Sequence, residues 1–170
     1  MKILNSKYDA KLKEIVQLHN ITKHYIMLGE EIDNKFYTFL QPVKEFRDSY
    51  DHILRIFKSI LFNEEKSDDE YISKQLSKAL GHEYRAFFDV GDWLTIVCRD
   101  ISIKSIKNSK NDVSDLKDDF NFIIDSNKKI AELRERKDIH KKIQDVVNDY
   151  QNIMTKLYES TVKIQKATLV

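Results

Sequence analysis

Glycine occurs three times in 170 residues, proline once and cysteine once. With so few residues that break or re-aim a backbone, long uninterrupted helices are the expected structure. The single cysteine, Cys98, excludes an intrachain disulfide and fits a reducing, cytoplasmic setting. No run of about 18 apolar residues occurs, so no membrane span is expected. Residues 1–7 lack the apolar centre of a signal peptide. Charge of one sign is also missing, since 29 basic residues stand against 28 acidic ones for a net +1. This balance argues against a basic surface wrapping the whole molecule for nucleic acid and leaves room for a local patch. Gly29, Gly81 and Gly91 are too far apart to form a phosphate-cradling loop. No Cys/His cluster and no His-Glu-x-x-His pattern is present, so neither a metal nor a cofactor is expected.

What the chain does have is helical periodicity. Its length suits a single domain over residues 1–170, with a core in 6–107 and a long helix or helix pair over 112–166. The fold class expected is all-α, a mostly antiparallel bundle of four to five long helices. A first helix is predicted over about 6–30, with Tyr8, Leu12, Ile15, His19, Thr22 and Ile26 in phase and Gly29 near its end. Asp33 and Asn34 then suit the cap of a second helix over about 34–62. There Phe39, Val43, Phe46, Tyr50, Ile53, Phe57 and Ile60 form the stripe expected to face the core. Pro42 predicts either a kink or a helix start with proline in the first turn. Ser67 is the predicted cap of a third helix reaching about residue 107, with Asp68, Asp69 and Glu70 suited to its positive end. Tyr84, Phe87, Phe88, Gly91, Leu94 and Cys98 form its apolar side, which makes Cys98 a small buried hydrophobe rather than a nucleophile. Gly81 and Gly91 inside this helix predict close approach of a neighbour, the first helix being the candidate. Beyond residue 112 the apolar phase slips across residues 134–138, which predicts either a break, with Asp138 capping a fifth helix, or one long helix whose apolar stripe winds, the break being favoured.

Two charged, aromatic-rich stretches, 44–55 and 82–93, fall on the second and third helices. A hairpin turn centred near residue 68 would bring Lys44 against Asp92, Arg47 against Asp89 and Asp51 against Arg85, with His82 at the end of the same face. Two readings of this ladder stand. Buried charges pair because leaving them unpaired is costly, so the ladder fixes helix register. Clustered, partly desolvated ionisable groups are also typical of active or ligand sites.

Within the first stretch, Arg47, Asp48, three further residues and His52 are spaced as an Arg, a polar residue and a His five positions on. This spacing resembles the motif of the HEPN superfamily, which comprises all-helical bundles, usually dimeric, many of them metal-independent ribonucleases. The resemblance implies that Arg47 and His52 are a catalytic pair, with Asp48 matching the polar residue and Lys44, Asp51, His82, Arg85, Asp89 and Asp92 supporting. It implies an RNA-cleaving or RNA-binding protein of a bacterial toxin or antiphage defence type. The chemistry is coherent: a His moves protons at a ribose hydroxyl, and an Arg stabilises charge developing on phosphate. In a regular helix, residues five apart differ by about 140° around the axis, so the pair converges only in a distorted helix or across a dimer cleft.

The second class of function is non-catalytic: a helical module that binds itself, as a dimer, or a partner protein through its long C-terminal helices. A third is a sensor that holds a small phosphorylated ligand in the polar seam. Lys128, Lys129, Arg134, Arg136, Lys137, Lys141 and Lys142 form a basic run that is either a solvated helix face or a contact for RNA.

Overall fold

The computed structural model describes residues 6–33, 39–62, 68–137 and 143–168. The protein is all-α, and among the described residues there are five α-helices and no strand. They are α1 (Asp9–Ile32), α2 (Leu40–Leu61), α3 (Asp69–Asn108), α4 (Lys117–Lys137) and α5 (Ile143–Thr168). No helix is long and apolar enough to cross a membrane. By packing, the chain divides into two compact units, one of Met1–His24 with Phe39–Val90 and one of Tyr25–Thr38 with Gly91–Val170.

In the first unit, α1 and α3 run parallel with α2 antiparallel between them in sequence. Tyr8 donates to the Asp69 carboxylate at 2.6 Å, Lys11 to Ser77 at 2.9 Å, and Tyr84 to Glu14, so positions on α1 and α3 rise together. Tyr8, Ile15, Ile56, Ile72, Leu76 and Ala79 form its apolar core, with Leu12, Ile53, Ile60 and Leu80 against them. Pro42 lies in the first turn of α2, where its missing N–H would have had no helical partner. Asp68 caps α3 by accepting from the Tyr71 N–H at 2.8 Å, with Asp69 and Glu70 in the first turn. Ser67, expected as that cap, lies outside the described residues, as do Asn34 and Asp138. Gly29 lies near the end of α1, as expected, three residues before Ile32.

In the second unit, α4 and α5 are antiparallel, joined by Ser160 and Lys163 on the Asp119 carboxylate at 2.8 and 2.5 Å. Two separate helices are present beyond residue 112, packed antiparallel, and the residues between them, 138–142, lie outside the described set. The end of α1 belongs to this unit and lies along α5. The Tyr25 hydroxyl reaches Thr155 Oγ1 at 2.8 Å and the Gln151 carbonyl at 3.2 Å, and Gln165 donates to the Ile32 carbonyl at 3.4 Å. Leu94, Cys98, Ile123, Val146, Tyr150, Met154, Leu157 and Ile164 are buried here. Burial pushes the Cys98 thiol up to about 12, which keeps it protonated and inert.

The expected reason for the helical glycines holds at Gly91 with a different neighbour and fails at Gly81. A Cβ on Gly91 would sit 2.8 Å from the Tyr150 ring and 3.4 Å from the Met154 sulfur, both on α5 rather than α1. A Cβ on Gly29 would overlap the Trp93 ring. A Cβ on Gly81 meets nothing nearer than the Arg85 guanidinium at 3.9 Å. Gly81→Ala should therefore stabilise by up to about 1 kcal/mol through helix propensity. Gly91→Ala should destabilise by roughly 1–3 kcal/mol through overpacking. Urea denaturation of the two variants beside the parent measures both signs, and equal signs would refute this account.

Candidate functional site

α2 turns two unlike faces to its surroundings. Pro42, Glu45, Ser49, His52, Ile56 and Ser59 recur every three or four residues and point inward; all are buried except the half-buried His52. Leu40, Val43, Arg47, Tyr50, Leu54, Phe57 and Leu61 recur in the same way on the other side. Leu40 is 72% exposed, Tyr50 59%, Leu61 60%, Val43 46% and Leu54 44%, while Phe57 is half-buried. The stripe expected to face the core does not form α2's buried face. Val43 and Tyr50 are exposed, and Phe39, Phe46, Ile53, Phe57 and Ile60 are half-buried. Periodicity identifies an apolar face, but burial here follows the face that carries Glu45 and His52, the two side chains that α3 hydrogen-bonds.

The inner face is built on Glu45, which is only 8% exposed. Its Oε2 accepts from Arg85 Nε and from His82 Nδ1, both at 2.8 Å, and Gln41 Nε2 lies 3.4 Å from Oε1. A carboxylate cannot donate, so His82 Nδ1 carries the proton. The 2.6 Å approach of Arg85 Nη2 to that same nitrogen is then a contact of two donors held by one shared acceptor. His52 Nδ1 meets the buried Gln75 Oε1 at 2.7 Å, and the His52 and His82 rings stack with centroids 5.3 Å apart. Burial opposes ionisation of Glu45, and the hydrogen bonds from Arg85 and His82 outweigh it, holding the carboxyl below the ordinary value of 4.5. Near this cluster His19 packs on Phe46 at 4.3 Å, with its Nδ1 3.3 Å from the buried Glu83 carboxylate.

Two rungs of the expected ladder are replaced by other pairs. Arg47 bonds Asp48, its neighbour in sequence, at 2.7 and 3.0 Å, rather than Asp89. Asp51 pairs with Arg55 one turn along α2 at 2.5 Å, and Arg85 goes to Glu45. Lys44 is exposed. Asp89 is half-buried, one turn beyond Arg85 on α3. The cause is the turn position. The gap between Leu61 and Asp69 is centred on residue 65, so facing residues sum to about 130, as Glu45 and Arg85 do. A turn placed at 68 shifts the partner by nearly two helical turns. Glu45 and Gln75 were missed for that reason, while Glu83 faces His19 on α1, a pairing the hairpin register does not bear on. The signal that could have found Glu45 is its place in the small and polar series 42, 45, 49, 52, 56 and 59.

Of the expected site residues, the structure therefore brings His52, His82 and Arg85 together. Asp48 joins them at the rim: the Arg47 hydrogen bond holds its carboxyl low, with His82 and Lys44 adding to the effect. Arg47 does not converge with His52, because its side chain is 69% exposed on the outer face. Of the basic run, Lys128 and Lys129 lie on α4, with Lys129 and Lys156 both over the Phe122 ring at 4.4 and 4.3 Å. The side chains of Arg134, Arg136 and Lys137, and residues 141 and 142, lie outside the described set. No family model matches the chain, and neither a curated protein nor a solved structure is significantly similar to it.

Glu45 should dominate the stability of this face. Its folded pKa is depressed, so its contribution is present above the unfolded value near 4.5 and is lost as pH falls through the lower folded value. Glu45→Gln should melt below the parent at neutral pH, and the gap should close in acid. A gap constant from about pH 7 to about pH 3 would mean the charge contributes nothing. Glu45→Ala, which strands two donors, should cost about 1–3 kcal/mol. Arg85→Ala should cost less, because that side chain is more than half exposed.

Proposed function

We propose that the protein is a non-catalytic helical interaction module whose contact surface is the outer face of α2. The observation that carries this reading is the exposed apolar stripe from Leu40 to Leu61. Single exposed leucines are ordinary, but a row of apolar side chains along one helix face, interrupted only by Arg47, marks a contact site. Burying a leucine, valine or phenylalanine side chain is worth roughly 1.5–3 kcal/mol, so covering six apolar positions supplies a large driving force. The inner face supports the same reading. Glu45, His82, Arg85, His52 and Gln75 satisfy one another, as a scaffold that fixes α2 against α3 requires.

Labelling of Val43→Cys and Leu54→Cys with a maleimide tests coverage in the cell, with Lys78→Cys on exposed α3 as the reference. Cys98 is buried and adds no background. Protection at 43 and 54 that is lost on denaturation is the expected result. Labelling as fast as at 78, in cells and in concentrated purified protein, would show a bare face and end this reading.

A second reading, an RNA-cleaving protein of HEPN type, is favoured by the stacked His52 and His82 rings beside Arg85, with Asp48 and Arg47 at the rim. A metal-free RNase assay on the parent, Arg47→Ala and His52→Ala separates the two. The interaction module cleaves no RNA above a buffer blank, and cleavage that both substitutions abolish would put the nuclease first.

A further inference from the structure

The outer stripe also indicates what covers it. Leu40, Val43, Arg47, Tyr50, Leu54, Phe57 and Leu61 alternate three and four apart, which is the seam spacing of a two-helix coil rather than a general apolar patch. α2 has 22 residues and so is about 33 Å long, enough for three heptads. We infer that the occupant is α2 of a second copy of this chain, packed antiparallel across a two-fold axis. This inference rests on the reading of the outer face as a contact surface.

Charge selects both the partner and the register. On the exposed flank of the stripe stand Lys44, Asp51 and Lys58, one heptad apart. An antiparallel pairing that sets Leu40 against Phe57, Val43 against Leu54 and Arg47 against Tyr50 brings Lys44 of each copy to Asp51 of the other. Both attractions repeat by symmetry, as an isologous interface requires. Sliding by one heptad in one direction opposes Asp51 to Asp51 and Lys44 to Lys58. Sliding the other way opposes Lys44 to Lys44. One register is therefore attractive and its neighbours are repulsive, so the surface is complementary to itself without any other partner. Arg47 is the one charged residue within the seam. In the attractive register its guanidinium lies over the Tyr50 ring of the second copy, a cation–π contact. A polar residue at one seam position is a recognised means of setting helix register.

The test is solution mass by light scattering, followed by a charge-swap cycle. The parent should run at twice its 20.2 kDa. Leu54→Glu should run as a monomer, with its circular dichroism and melting curve showing that the fold is kept. Lys44→Glu and Asp51→Lys should each weaken the dimer by about tenfold, because each removes two attractions and creates two repulsions. The double variant, which restores opposite charges in the antiparallel register alone, should return to within about threefold of the parent. A dimer that the double variant fails to rescue overturns the register. A parent that is monomeric through the micromolar range, while the Val43→Cys and Leu54→Cys variants stay protected in cells, overturns self-pairing and leaves the contact surface to a different protein. A monomer with both positions freely labelled overturns the contact surface as well.

Discussion

The carboxylate of Glu45 is the constraint on which the first unit depends. Placed on the inner face of α2, it needs donors, and α3 supplies them from His82 and Arg85 one turn apart. An unpaired buried carboxylate would be strongly unfavourable, so this requirement fixes both the rotation of α2 about its axis and its register along α3. Once the polar face is turned inward, the apolar face has nowhere to go but out. The exposure of Leu40, Tyr50 and Leu61 is thus the other side of the same constraint, not a separate oddity.

The contrast with the second unit is instructive. There the helices approach through glycine and small contacts: Gly91 lets α5 lay Tyr150 and Met154 against α3, and Gly29 admits the Trp93 ring to α1. No carboxylate is as buried as Glu45 among the described residues of that unit, whose buried ionisable groups are Tyr25, Cys98 and Tyr150. The first unit is registered by a buried carboxylate, whereas the second combines close packing at its glycines with hydrogen bonds nearer its surface, such as those on Asp119.

This difference explains what could be read from the sequence. Helix existence, the apolar side of α3 from Tyr84 to Cys98, the position of Pro42 and the break before α5 all follow from period and punctuation, which act locally. The phase of α1 is equally plain, with Tyr8, Ile15, Thr22 and Ile26 buried as spaced. The burial of α2 is not legible in this way, because its two faces share one period and differ only in which one α3 can satisfy. That choice depends on the turn centre, and the run 63–67 gives no sharp punctuation. A shift of three residues there moves Arg85 from Glu45 to Asp51. The His52 and Arg47 pairing is illegible for a simpler reason: spacing along a chain does not record which way two side chains point.

The Tyr25 hydroxyl bond to Thr155 joins residues 130 apart in sequence, and its bond to the Gln151 carbonyl spans 126. During synthesis the helices of the first unit emerge complete and can pair among themselves through contacts 23 to 70 residues apart. The end of α1 has no such option. Its tyrosine and the Ile32 carbonyl wait for α5, which leaves the ribosome long afterwards. One helix therefore spends its early life half finished, its first turns folded into one unit and its last turns holding a place for a partner not yet made.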